Sequence, residues 1–128
     1  MPKLDKILMV EDDLDIQTVA EMALAAVGGH TVHLCSSGQQ ALDDAPGFAP
    51  DLILLDVMMP GMDGPTTYHA LRERPDTVAT PVIFMTAKVQ PAELASYKAL
   101  GAIGVIQKPF DPMTLADEVA ALWTAHHG

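Results

Sequence analysis

The residues best suited to chemistry are carboxylates that directly follow short apolar runs. Glu11 and Asp12 follow the run at residues 6–10, and Asp56 follows the run at residues 52–55. Carboxylates that are packed together repel one another unless a cation compensates their charge. Hard oxygen ligands select Mg²⁺ over zinc or copper, and Mg²⁺ commonly bridges carboxylates to phosphate oxygens. The three acids predict a magnesium site if the fold brings them together.

Two further apolar runs lead to side chains that complement a phosphoryl group. Residues 81–85 are followed by Thr86, and residues 103–106 are followed closely by Lys108. A carboxylate beside a metal ion can attack a phosphoryl group and become an acyl phosphate. Mg²⁺, an ammonium and a hydroxyl are the groups that stabilise the charge on the transferring phosphoryl oxygens. Together, the acids, the hydroxyl and the ammonium predict phosphoryl-transfer chemistry.

Taken singly, these side chains have simpler explanations. An acid pair after a strand often marks a helix N-terminus, where carboxylates interact favourably with the helix dipole. Thr86 alone is most simply a turn residue, and Lys108 before a proline is most simply a solvated loop lysine. Asp56 is harder to explain, because a buried apolar run seldom stops on a charge without cause. The combination of complementary groups at successive strand ends is what favours function.

The elements that position these groups follow from the alternation of short apolar runs with amphipathic stretches. This alternation indicates βα units in a doubly wound α/β fold, and the continuously apolar middle runs indicate a parallel sheet with helices on both faces. In such a sheet, ligands bind at the carboxyl ends of the strands. The predicted strands cover residues 6–10, 31–35, 52–55, 81–85 and 103–106. The predicted helices cover residues 16–27, 36–45, 65–74 and 91–100, and a last helix begins after an N-cap at Asp111.

Composition limits the classes of protein to which the chain can belong. With 128 residues, 49% of them hydrophobic, we expect one compact domain over residues 1–128 and no output domain. The net charge of −10 disfavours direct binding to nucleic acid. No run approaches the roughly 20 apolar residues of a membrane span. A single cysteine suits a reducing compartment, so we expect a cytoplasmic location without membrane contact.

Other notable side chains have ordinary structural explanations. Cys35 is expected to be a small buried residue, and Trp123 a core anchor of the last helix. Asp13 and Asp15 suit the N-terminus of the first helix, and Asp63 suits the turn before the third. The histidines show no metal-ligand spacing with the acids and are expected at the surface or partly buried. They are His30, His33, His69, His126 and His127.

Four motifs resemble the receiver domain of bacterial two-component response regulators. They are ILMVEDD at 7–13, LILLDVMMPGMDG at 52–64, MTA at 85–87 and KPF at 108–110. The resemblance covers essentially the whole chain. It implies the flavodoxin-like (βα)5 strand order 2-1-3-4-5. It also implies that Asp56 accepts a phosphoryl group from a phosphohistidine on a histidine kinase or phosphotransfer protein.

The resemblance also implies roles for the other site residues. Asp12 corresponds to a direct Mg²⁺ ligand, Glu11 to a water-mediated ligand, and Met58 to the residue that lends its backbone carbonyl to the metal. Three further residues correspond to groups that contact the phosphoryl group. They are the Thr86 hydroxyl, the Lys108 ammonium and the backbone N–H of Ala87.

The chain departs from the family pattern at Val105, where the family usually carries an aromatic residue or a histidine. The phosphorylation chemistry should survive this change, because that ring does not contact the phosphoryl group. The conformational response is then expected either to be weak or to run mainly through the loop after Thr86 and the fourth helix. Lys88 and Met58 are expected to influence the lifetime of the phosphorylated form.

Several functional hypotheses therefore stay open. The leading one is a self-phosphorylating switch, not a metabolic enzyme, that contacts a downstream protein through its fourth helix, fifth strand and fifth helix and that could form a homodimer. The second is a receiver-like interaction domain that does not switch, which Val105 favours. A phosphohydrolase that acts through an aspartyl phosphate is disfavoured, because such enzymes commonly carry a second acid at the position of Met58. A flavin-binding domain is disfavoured because a carboxylate cluster is a poor phosphate cradle without its metal.

Overall fold

The computed structural model describes residues 3–127 and consists of one parallel sheet flanked by helices. The sheet has five strands in the order β2-β1-β3-β4-β5, which confirms the predicted doubly wound fold. The strands are β1 (Lys6–Val10), β2 (Thr31–Cys35), β3 (Leu52–Asp56), β4 (Val82–Thr86) and β5 (Gly104–Gln107). The helices are α1 (Leu14–Glu21), which continues as a π-helical segment (Met22–Val27), α2 (Gly38–Phe48), α3 (Gly64–Arg72), α4 (Pro91–Leu100) and α5 (Leu115–His127).

The strand register aligns the ends of the strands at one edge of the sheet. Val10 of β1 pairs with Cys35 of β2 and with Leu55 of β3. Asp56 pairs with Met85 of β4, one residue before the end of that strand. Since the residues that follow paired positions are neighbours, the side chains predicted to do chemistry lie along the same edge.

The hydrophobic core forms one layer on each face of the sheet. Leu8 and Val10 contribute to the layer beneath α2, α3 and α4, whereas Ile7 and Met9 contribute to the layer beneath α1 and α5. This alternation follows from the opposite directions of successive side chains in a strand. Trp123 is buried in the second layer and anchors α5, as predicted. Among the described residues, no helix has the length and apolar character needed to cross a membrane.

The second helix is longer than its sequence predicts. We expected a stop at Ala45, because Pro46 removes a backbone donor from the helix, but α2 continues to Phe48. The carbonyl that Pro46 leaves without its usual donor is that of Leu42. Arg74 Nη1 donates to this carbonyl at 3.2 Å, so a side chain from beyond α3 replaces the missing bond.

Other helix boundaries differ from the predictions by a few residues. Asp13 is the N-cap of α1 and accepts from two backbone N–H groups, which confirms the expected preference for this N-terminus. Asp63 is the N-cap of α3, and α3 ends at Arg72 rather than at residue 74. Asp111 accepts from the Met113 N–H at 2.8 Å as a cap would, although regular helix begins only at Leu115.

Candidate functional site

The buried centre of the site consists of two carboxylates and one ammonium. Glu11 directly follows β1, Asp56 ends β3, and each is 1% exposed. Lys108 follows β5, and its Nζ donates to Glu11 Oε2 at 3.1 Å and to Asp56 Oδ1 at 3.0 Å. The structure therefore brings together three of the residues that the sequence predicts to act together.

The ionisation of this centre is governed by burial. Loss of hydration raises the pKa of Glu11 to about 7, against the opposing hydrogen bond from Lys108 and with a further upward contribution from the Asp56 charge. Burial lowers the pKa of Lys108, but its hydrogen bonds to Asp56 and Glu11 outweigh this effect and the net shift is upward. The ammonium is therefore held charged, whereas Glu11 takes up a proton near neutral pH and carries its full negative charge only above about pH 7.

A third carboxylate completes a cluster that fits a divalent cation. Asp12 is exposed beside Glu11, and one oxygen from each of Glu11, Asp12 and Asp56 lies within 4.8 Å of the others. Asp56 Oδ2 is buried and accepts no hydrogen bond from the described residues. A buried carboxylate oxygen without a donor is costly, so this oxygen suits contact with a cation or a phosphoryl group.

Met58 lies at the rim of the cluster. Its backbone N–H donates to Asp56 Oδ1 at 3.4 Å, and its side chain is exposed to solvent. The Asp56 oxygen that accepts from Lys108 is therefore also held by the backbone two residues later. The role of the Met58 carbonyl as a metal ligand stays a prediction.

Thr86 ends β4 beside this centre but is turned toward its own loop. The hydroxyl is buried, and Thr86 Oγ1 accepts from the Lys88 backbone N–H at 3.0 Å. None of the hydrogen bonds described for residues 3–127 joins Thr86 Oγ1 to Asp56. The Thr86 carbonyl accepts from the Lys108 N–H at 2.9 Å, which ties the two loops together. Ala87 is exposed at the start of the same loop.

Sequence analysis missed Gln17 as a supporting residue. Gln17 is buried on α1, and its Nε2 donates to the Glu11 backbone carbonyl and, at 3.1 Å, to Ser36 Oγ. These bonds hold the backbone of the acid pair against the end of β2. A glutamine within a helical stretch belongs to none of the motifs, so only its position in α1 could have suggested this contact.

An apolar groove of about 220 Å³ opens beside the site, between α1 and the loop after β5. Its lining residues are Asp15, Ile16, Val19, Lys108, Pro109 and Phe110. Because Lys108 belongs to both the groove and the buried centre, the groove is continuous with the site.

Known protein sequences match this chain over most of its length. The family model described as response regulator receiver domain matches residues 7–120. The chain is 36% identical over 124 residues to transcriptional regulatory protein CpxR of Escherichia coli (strain K12), covering 97% of this chain and 51% of CpxR. It is 35% identical over 119 residues to uncharacterized transcriptional regulatory protein YclJ of Bacillus subtilis (strain 168), covering 91% of this chain and 50% of YclJ. The chain thus spans about half the length of these curated relatives.

Solved structures show the same fold over nearly their full length. Chemotaxis response regulator CheY4 of Vibrio cholerae superposes with a TM-score of 0.85 at 31% identity, covering 94% of this chain and 99% of CheY4. A putative response regulator from Chloroflexus aurantiacus superposes with a TM-score of 0.84 at 30% identity, covering 95% of this chain and 99% of the other.

The fold and the acidic edge define a doubly wound α/β domain with a carboxylate site at the carboxyl ends of its strands. The chain belongs to the family of response regulator receiver domains of two-component systems. Domains of this family generally bind Mg²⁺ and are typically not enzymes that turn over a separate substrate. The family and the fold predicted from the motifs are thereby confirmed.

Proposed function

We propose that this chain is a phosphoryl-accepting switch that receives a phosphoryl group on Asp56 from the phosphohistidine of a histidine kinase or phosphotransfer protein. The observation that carries the proposal is the buried centre itself. Asp56 Oδ1 is held by Lys108, while the buried Asp56 Oδ2 accepts no hydrogen bond from the described residues. This arrangement leaves one oriented carboxylate oxygen for attack on phosphorus.

The transfer exchanges one bond to phosphorus for another. An Asp56 oxygen forms a P–O bond, the P–N bond to the donor imidazole breaks, and its electron pair returns to the imidazole nitrogen. The product is an acyl phosphate, whose later attack by water would release inorganic phosphate and restore the carboxylate. The phosphoryl oxygens carry negative charge during the transfer, so positive groups around Asp56 would lower its barrier.

Lys108 supplies one of these positive groups from the protein itself. Its ammonium lies 3.0 Å from Asp56 and can move along its flexible stem to follow a phosphoryl oxygen. Glu11, Asp12, Asp56 and the Met58 carbonyl would hold Mg²⁺, the ion that fits this oxygen-rich cluster. When bound, Mg²⁺ would neutralise charge on the carboxylates and on the phosphoryl oxygens.

We further propose that Thr86 couples phosphorylation to the start of α4. A phosphoryl group on Asp56 offers the Thr86 hydroxyl a strong acceptor, and the hydroxyl would turn away from the Lys88 N–H to donate to it. The loop would then lose the 3.0 Å hydrogen bond that now holds it at Thr86. The Ala87 N–H, exposed in that loop, is a second donor for the phosphoryl group.

The output surface proposed for this chain is formed by α4, β5 and α5. Val105 lies partly buried on β5 and packs against the core layer that contains Phe84 and Tyr97. The Phe84 and Tyr97 rings are 5.2 Å apart, so α4 contacts β4 directly through an aromatic pair. A change at Thr86 can therefore reach α4 without an aromatic residue at position 105. A downstream protein or a second copy of the chain is the proposed partner.

The donor protein is proposed to approach through the groove between α1 and the loop after β5. The groove shares Lys108 with the site. The neighbouring surface of α1 and of its π-helical continuation exposes Leu14, Val19 and Met22, which are 68%, 39% and 60% exposed. An exposed apolar surface next to a charged site is a favourable place for contact with another protein.

The alternative is a receiver-like domain that binds a partner without switching. Val105 favours this alternative. It stands where the family usually carries an aromatic residue or a histidine that could reorient. A binding assay with a candidate partner, before and after phosphorylation, separates the two functions. Phosphoryl uptake with an unchanged Kd would support the alternative. The cytoplasmic location and the single-domain organisation stay predictions.

The proposed acceptor is tested by measuring the intact mass of the protein after incubation with acetyl phosphate, with and without Mg²⁺. We expect one added phosphoryl group on the unmutated protein in the presence of Mg²⁺. We expect none on Asp56→Asn, and an unchanged result for Asp76→Asn, which alters an exposed aspartate after α3. If no phosphoryl group is taken up, a phosphorylated histidine phosphotransfer domain replaces acetyl phosphate. Failure with both donors would overturn the proposal.

A further inference from the structure

A second group of ligand-type side chains lies between β2 and α2, outside the site described above. His33 Nε2 lies 2.8 Å from Asp44 Oδ2, and Cys35 Sγ lies 3.9 Å from the same oxygen. One ligand atom from each of the three residues lies within 4.8 Å of the others. His33 and Cys35 are two residues apart on β2, so their side chains share a face of the sheet, and α2 brings Asp44 over that face.

We propose that His33, Cys35 and Asp44 form a binding site for a divalent transition-metal ion of the Zn²⁺ class. Imidazole, thiolate and carboxylate all bind Zn²⁺ at about 2.0–2.3 Å, so tetrahedral ligand atoms lie roughly 3.3–3.8 Å apart. The observed separations of 2.8 and 3.9 Å fall on either side of this range. Small side-chain movements are therefore sufficient to admit the ion. The nitrogen and sulfur ligands distinguish this site from the oxygen-only cluster at Asp56.

The residues around this site leave a path for an ion from solvent. They also fix the orientation of the Asp44 carboxylate. Cys35 is fully buried, whereas the side chains of His33 and Asp44 are 39% and 34% exposed, so one side of the site faces solvent. Water from that side can complete a four-coordinate sphere. Gln40 Nε2 donates to Asp44 Oδ2 at 3.3 Å, and Gln40 Oε1 accepts from the Ser36 N–H at 2.8 Å. Such second-layer hydrogen bonds orient metal ligands.

Metal binding at this site involves proton release but no electron transfer. The Cys35 thiol loses its proton to solvent and binds as a thiolate, and His33 binds through an Nε2 that carries no proton. Burial raises the pKa of Cys35 to about 12, and the adjacent Asp44 carboxylate acts in the same direction. The thiol therefore ionises together with metal binding rather than before it. The ion replaces the direct contact between His33 and Asp44.

The probe for this site is Co²⁺, followed by absorption spectroscopy on the full chain in a large excess of Mg²⁺. A thiolate bound to Co²⁺ produces a charge-transfer band in the near ultraviolet, and a tetrahedral site adds visible d–d bands. Because the chain contains one cysteine, the charge-transfer band reports on Cys35 alone. We expect a band that saturates at one equivalent of Co²⁺ and disappears when Zn²⁺ is added.

Variants assign the ligands. Cys35→Ser should abolish the charge-transfer band. His33→Gln and Asp44→Asn should weaken Zn²⁺ binding at least about tenfold, since even loss of a second-layer partner costs 10–100-fold in affinity. Asp43→Asn is the matched control, because Asp43 is exposed on the same helix and should leave binding unchanged.

Two results would overturn the proposal. One is the absence of a charge-transfer band from the unmutated protein. The other is equal Zn²⁺ affinity in His33→Gln and Asp43→Asn. Circular dichroism establishes whether each variant is folded. If Cys35→Ser does not fold, His33→Gln decides the question, since His33 is partly exposed and its substitution leaves the core intact.

Discussion

At the scale of single residues, the stability of the buried site is limited by repulsion between the Glu11 and Asp56 carboxylates. Both side chains are buried, and both accept a hydrogen bond from the Lys108 ammonium. Since one ammonium can balance only one carboxylate, the second carboxyl group must carry an unpaired charge or take up a proton, and burial with the nearby Asp56 charge accordingly raises the pKa of Glu11 to about 7. The geometry that suits the site for a cation thus lowers the stability of the protein when no cation is bound.

This argument predicts that Asp56→Asn stabilises the protein in the absence of divalent cations. Removing one of two like charges should raise the free energy of unfolding by about 1 kcal/mol, the equivalent of roughly one pKa unit of repulsion. Urea denaturation in the presence of a chelator measures the difference. Asp76→Asn serves as the control and should leave stability nearly unchanged. Destabilisation by Asp56→Asn would contradict the argument.

At the scale of the elements, helix α3 shows how a side chain can fix the start of a helix. Asp63 is the N-cap of α3, and its Oδ1 accepts from the Thr66 N–H at 2.9 Å. The hydrogen bonds from the Thr66 backbone and side chain lower the pKa of Asp63. This cap positions α3 directly after the loop that follows the proposed acceptor.

The Asp63 cap predicts a stability difference that depends on pH. Asp63→Ala should lower the free energy of unfolding by about 1 kcal/mol at pH 7, while Asp63→Asn, which also caps well, should lower it by less. The pKa is depressed in the folded state, so the charge-dependent contribution is present above the unfolded value and is lost as pH falls through the folded value. Denaturation of all three proteins between pH 7 and pH 3 tests this. The prediction would be wrong if the unfolding free energies of Asp63→Ala and the unmutated protein differed by the same amount at every pH in that range.

The Thr86 hydrogen bond predicts how α4 responds to phosphorylation. Thr86→Val keeps the shape of the side chain but removes the hydroxyl that accepts from the Lys88 N–H. We expect phosphoryl uptake on Asp56 to persist and the amide chemical-shift changes in α4 to shrink. Two-dimensional NMR before and after phosphorylation measures both. Thr124→Val, an exposed change on α5, should leave the α4 response intact. A full α4 response in Thr86→Val would show that the hydroxyl does not transmit the signal.

At the scale of the whole molecule, the first turn of α3 packs directly against the backbone at the end of β3. A Cβ added to Gly64 would lie 2.5 Å from the Asp56 carbonyl oxygen and 2.8 Å from Val57 Cα. Both are backbone atoms, so relief requires movement of the helix relative to the sheet. Gly47 in α2 offers a contrast, because a Cβ there would meet no atom within 4 Å.

These two glycines predict opposite effects of the same substitution. Gly64→Ala should lower the free energy of unfolding by about 1–3 kcal/mol through overpacking and should also slow phosphoryl uptake, because it displaces Asp56. Gly47→Ala should be neutral or stabilise by about 0.4–1 kcal/mol, since it restricts the unfolded chain. Thermal or urea denaturation of the two variants measures these changes in stability. Equal effects of the two changes would show that the contact at Gly64 is easily relieved.

Most of the fold could be predicted because its signals are local. Short continuous apolar runs, separated by glycine, proline and acidic residues, indicate buried parallel strands without reference to the rest of the chain. Helix ends were less predictable, as α2 illustrates. Where α2 continues through Pro46, the Leu42 carbonyl accepts a hydrogen bond from Arg74, which lies 32 residues away in the sequence. A local rule cannot include a donor supplied from so far away.

The sequence by itself determined the family, the sheet and the chemical groups at the strand ends, because parallel strands in register bring those ends to one edge whatever the side-chain details. Only the tertiary structure decided which groups touch. It placed Lys108 between Glu11 and Asp56, across 97 and 52 residues of sequence, and it placed His33 against Asp44. Such contacts depend on side-chain directions and on packing between elements, and no periodicity along the chain encodes either of them.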